Sequence, residues 1–347
     1  MTCMTDVTKA KHKNIPIFIP HMGCPHACVF CDQCTISGQA SFDEGAVRQE
    51  IEAALATIKP EIEVEIAYFG GSFTAIDRDL MVRLLDLAQS YVDAGRVAGI
   101  RFSTRPDAVG EDVLDILSRY TIAAIELGLQ SMDDEVLTAC RRGHTAAQAE
   151  DACRRIVARG YTLVGQMMLG LPASTPEKER KTAELICSLG ASAVRIYPTV
   201  VLEGTALAVM MRQGTYTPLT VDEAAERAAD VLAIMHEHNV DVLRVGLCAS
   251  EGLSGERAVG GANHPALGEL AYGVLFGRRM REVLSAAEAD PKGKTVTFLV
   301  PRGKISQAIG QHRKNTTDLC RAFDLAGVRV CESEGLTGTE VLLKDEN

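Results

Sequence analysis

No apolar run in this sequence approaches the ~20 residues that cross a bilayer, and the N-terminus, MTCMTDVTKAKHKN, lacks the apolar core of a signal peptide. Both absences predict a soluble, cytoplasmic protein with no membrane partner. Nor is there an excess of positive charge, since 36 basic residues face 46 acidic ones and leave a net charge of −10. Binding nucleic acid over the whole surface is thereby excluded, and only a local basic patch could serve. Internal repeats and low-complexity tracts are also missing. With 46% hydrophobic and 24% charged residues, the chain can bury a sizeable core and is not compositionally disordered. Its length suggests about two domains at roughly 150 residues each, although an α/β barrel of about 250 residues can be one unit.

What is present in unusual density is cysteine. The 11 cysteines are odd in number and unevenly spread: four lie between Cys24 and Cys34, while Cys3, Cys140, Cys153, Cys187, Cys248, Cys320 and Cys331 are scattered. A disulfide framework belongs to short secreted chains, so clustering in a cytosolic one points to metal or redox chemistry. The stretch Gly23-Cys24-Pro25-His26-Ala27-Cys28-Val29-Phe30-Cys31 has the spacing C-x3-C-x2-C directly after a predicted strand. Iron–sulfur clusters are normally held by four thiolates. Three could hold three irons of a cubane and leave the fourth open to an exchangeable ligand, the logic of a catalytic site rather than a closed structural one. Cys34 follows Cys31 at C-x2-C spacing and could complete a four-thiolate zinc or iron–sulfur site, or stand apart. A structural zinc knob usually pairs two well-separated C-x2-C elements, and no second pair exists here.

Short apolar runs alternate with helix-like segments from Ile15 to about Val245. The runs at 15–20, 64–69, 99–104, 122–129, 161–169, 191–198 and 240–246 predict strands. A helix after the cysteine loop is expected to start at Ser41 as N-cap, with Glu44 closing a capping box. Repeated β-then-α units predict a parallel sheet with helices outside, as an open doubly wound sheet or a complete or partial barrel. Chemistry is then expected in the loops after the strand C-termini. Residues 248–265, rich in Gly and Ser, read as a long loop, 266–289 as helix and 290–293 as a turn or linker. A strand at 295–300, a short helix at 304–309, a GQHR loop, a helix at 314–325 and a strand at 328–332 complete the pattern.

The cysteine motif resembles that of radical S-adenosylmethionine (SAM) enzymes, in which a 4Fe–4S cluster chelates SAM through its open iron and one electron cleaves SAM to a 5′-deoxyadenosyl radical. Further motifs fall in the same order. Gly70-Gly71-Ser72-Phe73-Thr74 is similar to the family's Gly-Gly segment, whose backbone approaches the methionine end of SAM. Ser103-Thr104-Arg105-Pro106-Asp107, Glu126-Leu127-Gly128-Leu129-Gln130-Ser131, Arg142-Gly143-His144-Thr145, Met168-Leu169-Gly170-Leu171-Pro172 and Ile196-Tyr197-Pro198-Thr199 resemble the radical-SAM half of the Elongator catalytic subunit, and more loosely oxygen-independent coproporphyrinogen oxidase. The resemblance implies a partial (β/α)6 TIM-like barrel, with Cys24, Cys28 and Cys31 as cluster ligands and Gly70, Gly71 and Ser72 positioning SAM. It also implies Gln130 and Arg142 as contacts of the SAM ribose and carboxylate. Three departures from Elongator are expected to matter: no room for its acetyltransferase domain, Ser103 where the relatives usually carry Glu, and closer cysteine spacing. Glu126 and Gln166 are either active-site lining or satisfied core groups.

Charge segregates near the C-terminus. Between Lys292 and Arg321 lie seven basic residues and one acid, Asp318, a local charge of +6 within the net −10. The strand–helix–GQHR–helix–strand order resembles the core of a KH domain, whose G-x-x-G loop clamps single-stranded backbone, with Arg313 replacing the second glycine. The expected organisation is a barrel over 1–246, a connecting loop and helix over 247–290, and a small basic α+β (KH-like) domain over 291–347. The leading expectation is a radical SAM enzyme modifying RNA, with tRNA as the expected substrate, held by Lys304, Arg313 and Lys314, and fed electrons by a flavodoxin or ferredoxin. A radical SAM enzyme for a small molecule such as a tetrapyrrole, and a non-catalytic iron–sulfur protein, are the alternatives.

Overall fold

The structure, a computed structural model, describes residues 12–24, 28–32, 36, 41–247 and 257–344. Along the chain, β1 (His12–Phe18) leads through the cysteine loop to α1 (Val47–Leu55), β2 (Glu63–Phe69), α2 (Arg78–Asp93), β3 (Gly99–Thr104), α3 (Glu111–Leu117) and β4 (Ile122–Gln130). Next come α4 (Asp134–Ala139), α5 (Ala146–Ala158), β5 (Leu163–Leu169), α6 (Pro176–Ser188) and β6 (Ala193–Pro198). Then follow β7 (Val200–Leu202), α7 (Ala206–Arg212), α8 (Val221–Glu237), β8 (Asp241–Val245) and β9 (Ala258–Gly261). Seven strands form one parallel sheet in the order β1-β2-β3-β4-β5-β6-β8. β1 and β8 remain at opposite edges, so the sheet curls into a half-barrel without closing.

Side-chain periodicity explains which face points where. In α2 the Asp77 carboxylate accepts the Leu80 N–H as N-cap, and Leu80, Met81, Leu84, Leu85, Ala88 and Tyr91 form one buried stripe. That stripe packs with Ile66, Tyr68, Ile100 and Phe102 of the sheet, and the Tyr68 hydroxyl donates to the Leu84 carbonyl at 2.7 Å. Strand residues alternate between faces, so the opposite face of the sheet carries polar groups. There Glu126, wholly buried, accepts from Arg195 at 2.7 and 3.0 Å, from Gln166 at 2.9 Å and from Arg101 at 3.3 Å. Arg101 also donates to Glu65 at 2.6 Å, and Gln166 to the Ser103 hydroxyl at 3.1 Å. Glu126 and Gln166 are thus satisfied members of one buried ionic network that joins β2, β3, β4, β5 and β6 from inside.

Two sequence expectations are corrected. The helix after the cysteine loop is capped by Asp43, whose carboxylate accepts the Gly45 N–H at 2.9 Å, and not by Ser41; a 3-10 turn at Glu44–Ala46 precedes α1. Ser41 sits two residues too early for its side chain to meet the first free amides of that turn. Residues 248–265 are not loop throughout, because β9 pairs antiparallel with β7. Small residues (Ala258-Val259-Gly260-Gly261) hid this strand, and its partner β7 is a three-residue run merged in sequence with the end of β6.

The C-terminal part begins with α9 (Leu267–Ser285), followed by β10 (Thr295–Pro301), α10 (Ile305–Ile309), α11 (Lys314–Phe323), β11 (Gly327–Ser333) and β12 (Leu342–Leu343). β10 is central, parallel to β11 and antiparallel to β12. Its core joins Phe276, Met280 and Leu284 of α9 to Val296, Phe298, Val300, Ala308 and Leu319. A Cβ at Gly277 would stand 2.6 Å from the Asn315 side chain; Asn315 in turn donates to the Gly273 and Ala308 carbonyls at 2.7 and 3.0 Å. Residues 310–313 join α10 to α11, with His312 and Arg313 both left-handed (φ 53° and 60°) and exposed.

Candidate cofactor site at the cysteine loop

The cysteine loop leaves the C-terminal end of β1 and is tied at once to the end of β2. The His21 amide donates to the Gly70 carbonyl at 3.1 Å and the Ser72 amide to the Met22 carbonyl at 3.0 Å. This approach is close enough to require glycine: a Cβ on Gly71 would stand 2.3 Å from the Met22 oxygen and 2.7 Å from that of Ile19. The Gly70–Ser72 segment is therefore engaged with the root of the loop, a packing role that its sequence did not disclose. Ser72 is buried, with its hydroxyl 3.0 Å from that of Thr104 and accepting the Arg105 amide at 3.2 Å. Gly71→Ala is expected to cost about 1–3 kcal/mol of stability through overpacking and to lower iron loading. Thermal unfolding and iron content check it, and wild-type values for both would overturn the packing argument.

Between the second and third cysteines, Val29 and Phe30 plug the loop into an apolar pocket with Val136, Cys140, Leu171, Leu207 and Tyr216. The Val29 amide donates to the Cys140 carbonyl at 3.2 Å, and its carbonyl accepts from Leu207 at 2.8 Å. Asp32, just past Cys31, pairs with Arg257 at 3.0 Å, so the segment leading into β9 braces the loop from above.

Two buried guanidiniums converge on Cys28. Arg142 Nη1 lies 3.3 Å and Arg105 Nη1 3.9 Å from its Sγ. Arg142 also donates to the Gly128 carbonyl at 2.6 Å, and Arg105 to the Arg142 carbonyl. Burial pushes the Cys24 thiol up, against the pull of Arg105 and Arg142. Burial also lifts Cys140 and Cys153 to about 12, which makes them inert core thiols. The His144 imidazole is pushed down to about 4 by burial and then by Arg142 and Arg105, so it is neutral at physiological pH.

A register shift between β4 and β5 at Gly128/Gln130 puts Gln130 at φ 65°, a bulge that re-aims its side chain. A Cβ at Gly128 would lie 3.2 Å from Gln130 Nε2 and 3.5 Å from Arg142 Nη2, so the two side chains meet over that glycine. Gln130 Oε1, Arg142 Nε and both His144 ring nitrogens are buried without a hydrogen-bond partner; the His144 ring lies beside the Leu129 backbone but does not reach bonding geometry. Such orphans each cost about 1–3 kcal/mol, and those of Gln130 and Arg142 lie on the two side chains that meet over Gly128.

Of the residues singled out from the sequence, the structure gathers Cys28, Gln130 and Arg142, with Gly70–Ser72 at the root of the same loop. Arg105 and His144 were missed as individuals, although both lie inside quoted motifs. Cys34 lies outside the described residues. Lys304, Arg313 and Lys314 belong to the C-terminal part and not to this site. Lys304 Nζ stands 5.1 Å over the Tyr272 ring, while Arg313 and Lys314 are exposed.

The described residues contain no group of three His, Cys, Asp or Glu side chains arranged around a single metal ion. A polynuclear cluster makes a different demand, because its thiolates each bind a different iron. Three thiols on one loop, faced by cationic N–H donors and orphaned polar atoms, fit a thiolate-held anionic cluster with a polar co-ligand.

Fold and site together define an α/β half-barrel with a thiol-bearing cofactor loop above its first strand. Residues 18–186 match the radical SAM superfamily and residues 191–273 the Radical_SAM C-terminal domain. The chain belongs to the radical SAM superfamily, whose cofactors are a 4Fe–4S cluster and SAM. It is 30% identical over 236 residues to an uncharacterized protein of Methanocaldococcus jannaschii, covering 65% of this chain and 72% of that one. It is 28% identical over 254 residues to the tRNA uridine(34) acetyltransferase of the same organism, covering 61% of this chain and 47% of that one. This chain thus spans about half the length of the tRNA uridine(34) acetyltransferases it matches. In fold it resembles the archaeal Elp3 of Methanocaldococcus infernus with an N-terminal deletion, with a TM-score of 0.63 and 22% identity over 78% of this chain and 63% of that one. Among the described residues no helix is long and apolar enough to cross a membrane.

Proposed function

We propose that this protein is a cytoplasmic radical SAM enzyme that modifies RNA, with a tRNA base as its target. The observation that carries the reading is the convergence of Arg105 and Arg142 on Cys28 beside the orphaned polar atoms of Gln130, Arg142 and His144. Cys24, Cys28 and Cys31 would hold three irons of the cluster, and Arg142 offers a fork suited to the SAM carboxylate. Gln130, re-aimed by its bulge, would contact the ribose, and Gly70, Gly71 and Ser72 would border the methionine end. When bound, cluster and SAM supply one-electron cleavage of a carbon–sulfur bond; the electron comes from an external donor such as a flavodoxin or ferredoxin. Around them the protein excludes water, with Val29 and Phe30 sealing one side of the loop.

RNA as substrate is supported by the names of the acetyltransferase and Elp3 relatives and by the charge of the C-terminal part. Left-handed backbone at His312 and Arg313 costs about 1–2 kcal/mol per residue, and both residues are exposed on the turn, with the Arg313 cation among them. Such strain suits a preformed phosphate contact.

The logarithm of the tRNA binding constant is expected to fall linearly with log salt. Replacing Lys304, Arg313 and Lys314 together by Glu should weaken binding and lower the slope by about 2, at roughly 0.7 per single-strand phosphate contact. A triple variant that binds tRNA like the wild type at every salt concentration would remove the patch and favour a small-molecule substrate.

A further inference from the structure

We propose that the Arg105–Asp107 ion pair sets the reduction potential of the cluster held at Cys28, Arg105 raising it and Asp107 lowering it. The inference rests on the reading of Cys24, Cys28 and Cys31 as cluster ligands and adds a positioning and tuning role that this reading does not require.

The geometry divides the two charges. Arg105 binds Asp107 side-on, through Nε to Oδ1 at 2.9 Å and Nη2 to Oδ2 at 3.0 Å. That leaves Nη1, on the far edge of the guanidinium, for Cys28 Sγ at 3.9 Å. The cation therefore stands on the sulfur side and the carboxylate behind it. The Arg105 side chain is only 4% exposed and that of Asp107 22%, so neither charge is fully screened by water. Burial alone would lower the Arg105 pKa, but Asp107 keeps it above the ordinary value, and the cation is permanent. Arg142, the second cation at Cys28, donates to the Gly128 carbonyl and forms no ion pair among the described residues, so the sulfur faces two positive charges and one compensating negative one.

The pair is also fixed in place. Asp107 lies in the 3-10 turn Pro106–Ala108 directly after Arg105. A buried hydroxyl chain pins that turn: Ser72 to Thr104 at 3.0 Å, Thr104 to Thr74 at 2.5 Å, and Thr74 to the Ala108 carbonyl at 2.6 Å. The Arg105 amide is held by the Ser72 hydroxyl and its Nη2 by the Arg142 carbonyl. A solvated surface pair would be free to swing away, whereas this one is locked with its cationic end toward the sulfur.

Reduction adds one electron to the cluster and makes it more negative. N–H donors and a nearby cation stabilise the reduced form more than the oxidised one and raise the potential; a carboxylate does the opposite. Burial in low dielectric enlarges both effects. The two members of one ion pair should therefore act with opposite signs, which simple loss of a structural contact cannot produce.

The test uses the full chain, reconstituted anaerobically with iron and sulfide, and follows the reduced-cluster EPR signal through a redox titration without SAM. At a fixed poise, Arg105→Gln is expected to lower the ratio of reduced to oxidised cluster about tenfold, a shift of ~59 mV for one electron. Asp107→Asn is expected to shift it the other way. Should Arg105→Gln load too little iron to titrate, Asp107→Asn decides alone, with a higher potential supporting the proposal and an unchanged or lower one overturning it. Full loading with unchanged potentials, or shifts of the same sign in both variants, overturns the tuning role and leaves the ligand reading standing. A wild type that takes up no iron and sulfide overturns both.

Discussion

Cys28→Ala protein, reconstituted with iron and sulfide and reduced with dithionite in the presence of SAM, is expected to form no 5′-deoxyadenosine above the level seen without protein. Wild-type protein is expected to form it under the same conditions. The expectation is large because, on the proposed ligand reading, the three thiolates would act as a set: with two, one more iron would lose its anchor and the cluster would not be held. Cys28 is the informative choice because its sulfur is the one at which Arg105 and Arg142 converge. Cys331→Ser is the control, being an exposed thiol on β11 in the C-terminal part, and should retain wild-type product. Chromatography of the nucleoside and iron counting together read the result. Product from Cys28→Ala at the wild-type level would remove this cysteine from the ligand set. Four irons in the wild type without product, even with tRNA added, would point to a non-catalytic cluster and make Cys34 the candidate for a closed fourth position.

Glu126→Ala should be the most damaging substitution away from the cysteines. The Glu126 side chain is fully buried, and four donors from Arg101, Arg195 and Gln166 end on its two oxygens. Removing one partner of a buried ion pair leaves uncompensated charge and costs about 3–5 kcal/mol. Arg195 would lose the carboxylate that it binds through two donors, while Arg101 would keep Glu65 at 2.6 Å. At ~2–4 °C per kcal/mol for a domain of this size, the thermal midpoint should drop by about 6–20 °C. Glu126→Gln, which keeps the shape and one acceptor but not the charge, should fall between. A loss below about 1 kcal/mol for the alanine variant would mean that water enters the concave face and solvates both arginines. That outcome would recast the network as a wet, substrate-accessible surface.

Much of the scaffold was legible from one-dimensional pattern. The strands of the half-barrel are short apolar runs between amphipathic stretches, and such runs keep their identity because burial on the helix side demands them at every second position. β3 begins and ends where its apolar run does, at Gly99–Thr104. The ends of elements were harder to place, because a cap depends on one backbone angle: Asp43, not Ser41, holds the first free amide. The pairing of β7 with β9 was invisible. Strands of three and four residues, brought together across more than fifty intervening positions, leave no periodicity in either segment.

The sequence by itself determined the class of chemistry, since ligand spacing on one loop is a local property and C-x3-C-x2-C admits few other uses. It also determined the alternation of strand and helix and the basic bias near the C-terminus, both of which are additive over neighbouring residues. Only the tertiary structure decided which charges meet. Arg105 comes from the end of β3, Arg142 from the segment between α4 and α5, and Cys28 from the loop after β1, and no spacing rule relates them. Likewise Glu126, which could have lined an active site or filled a core, became the centre of an ion network because Arg101, Gln166 and Arg195 project from neighbouring strands onto the same face. Gly71, read from the sequence as a ligand-approach glycine, is also required by the Met22 and Ile19 carbonyls that press against it. Long-range electrostatics and close packing depend on distances in space, and those exist only once the chain has folded.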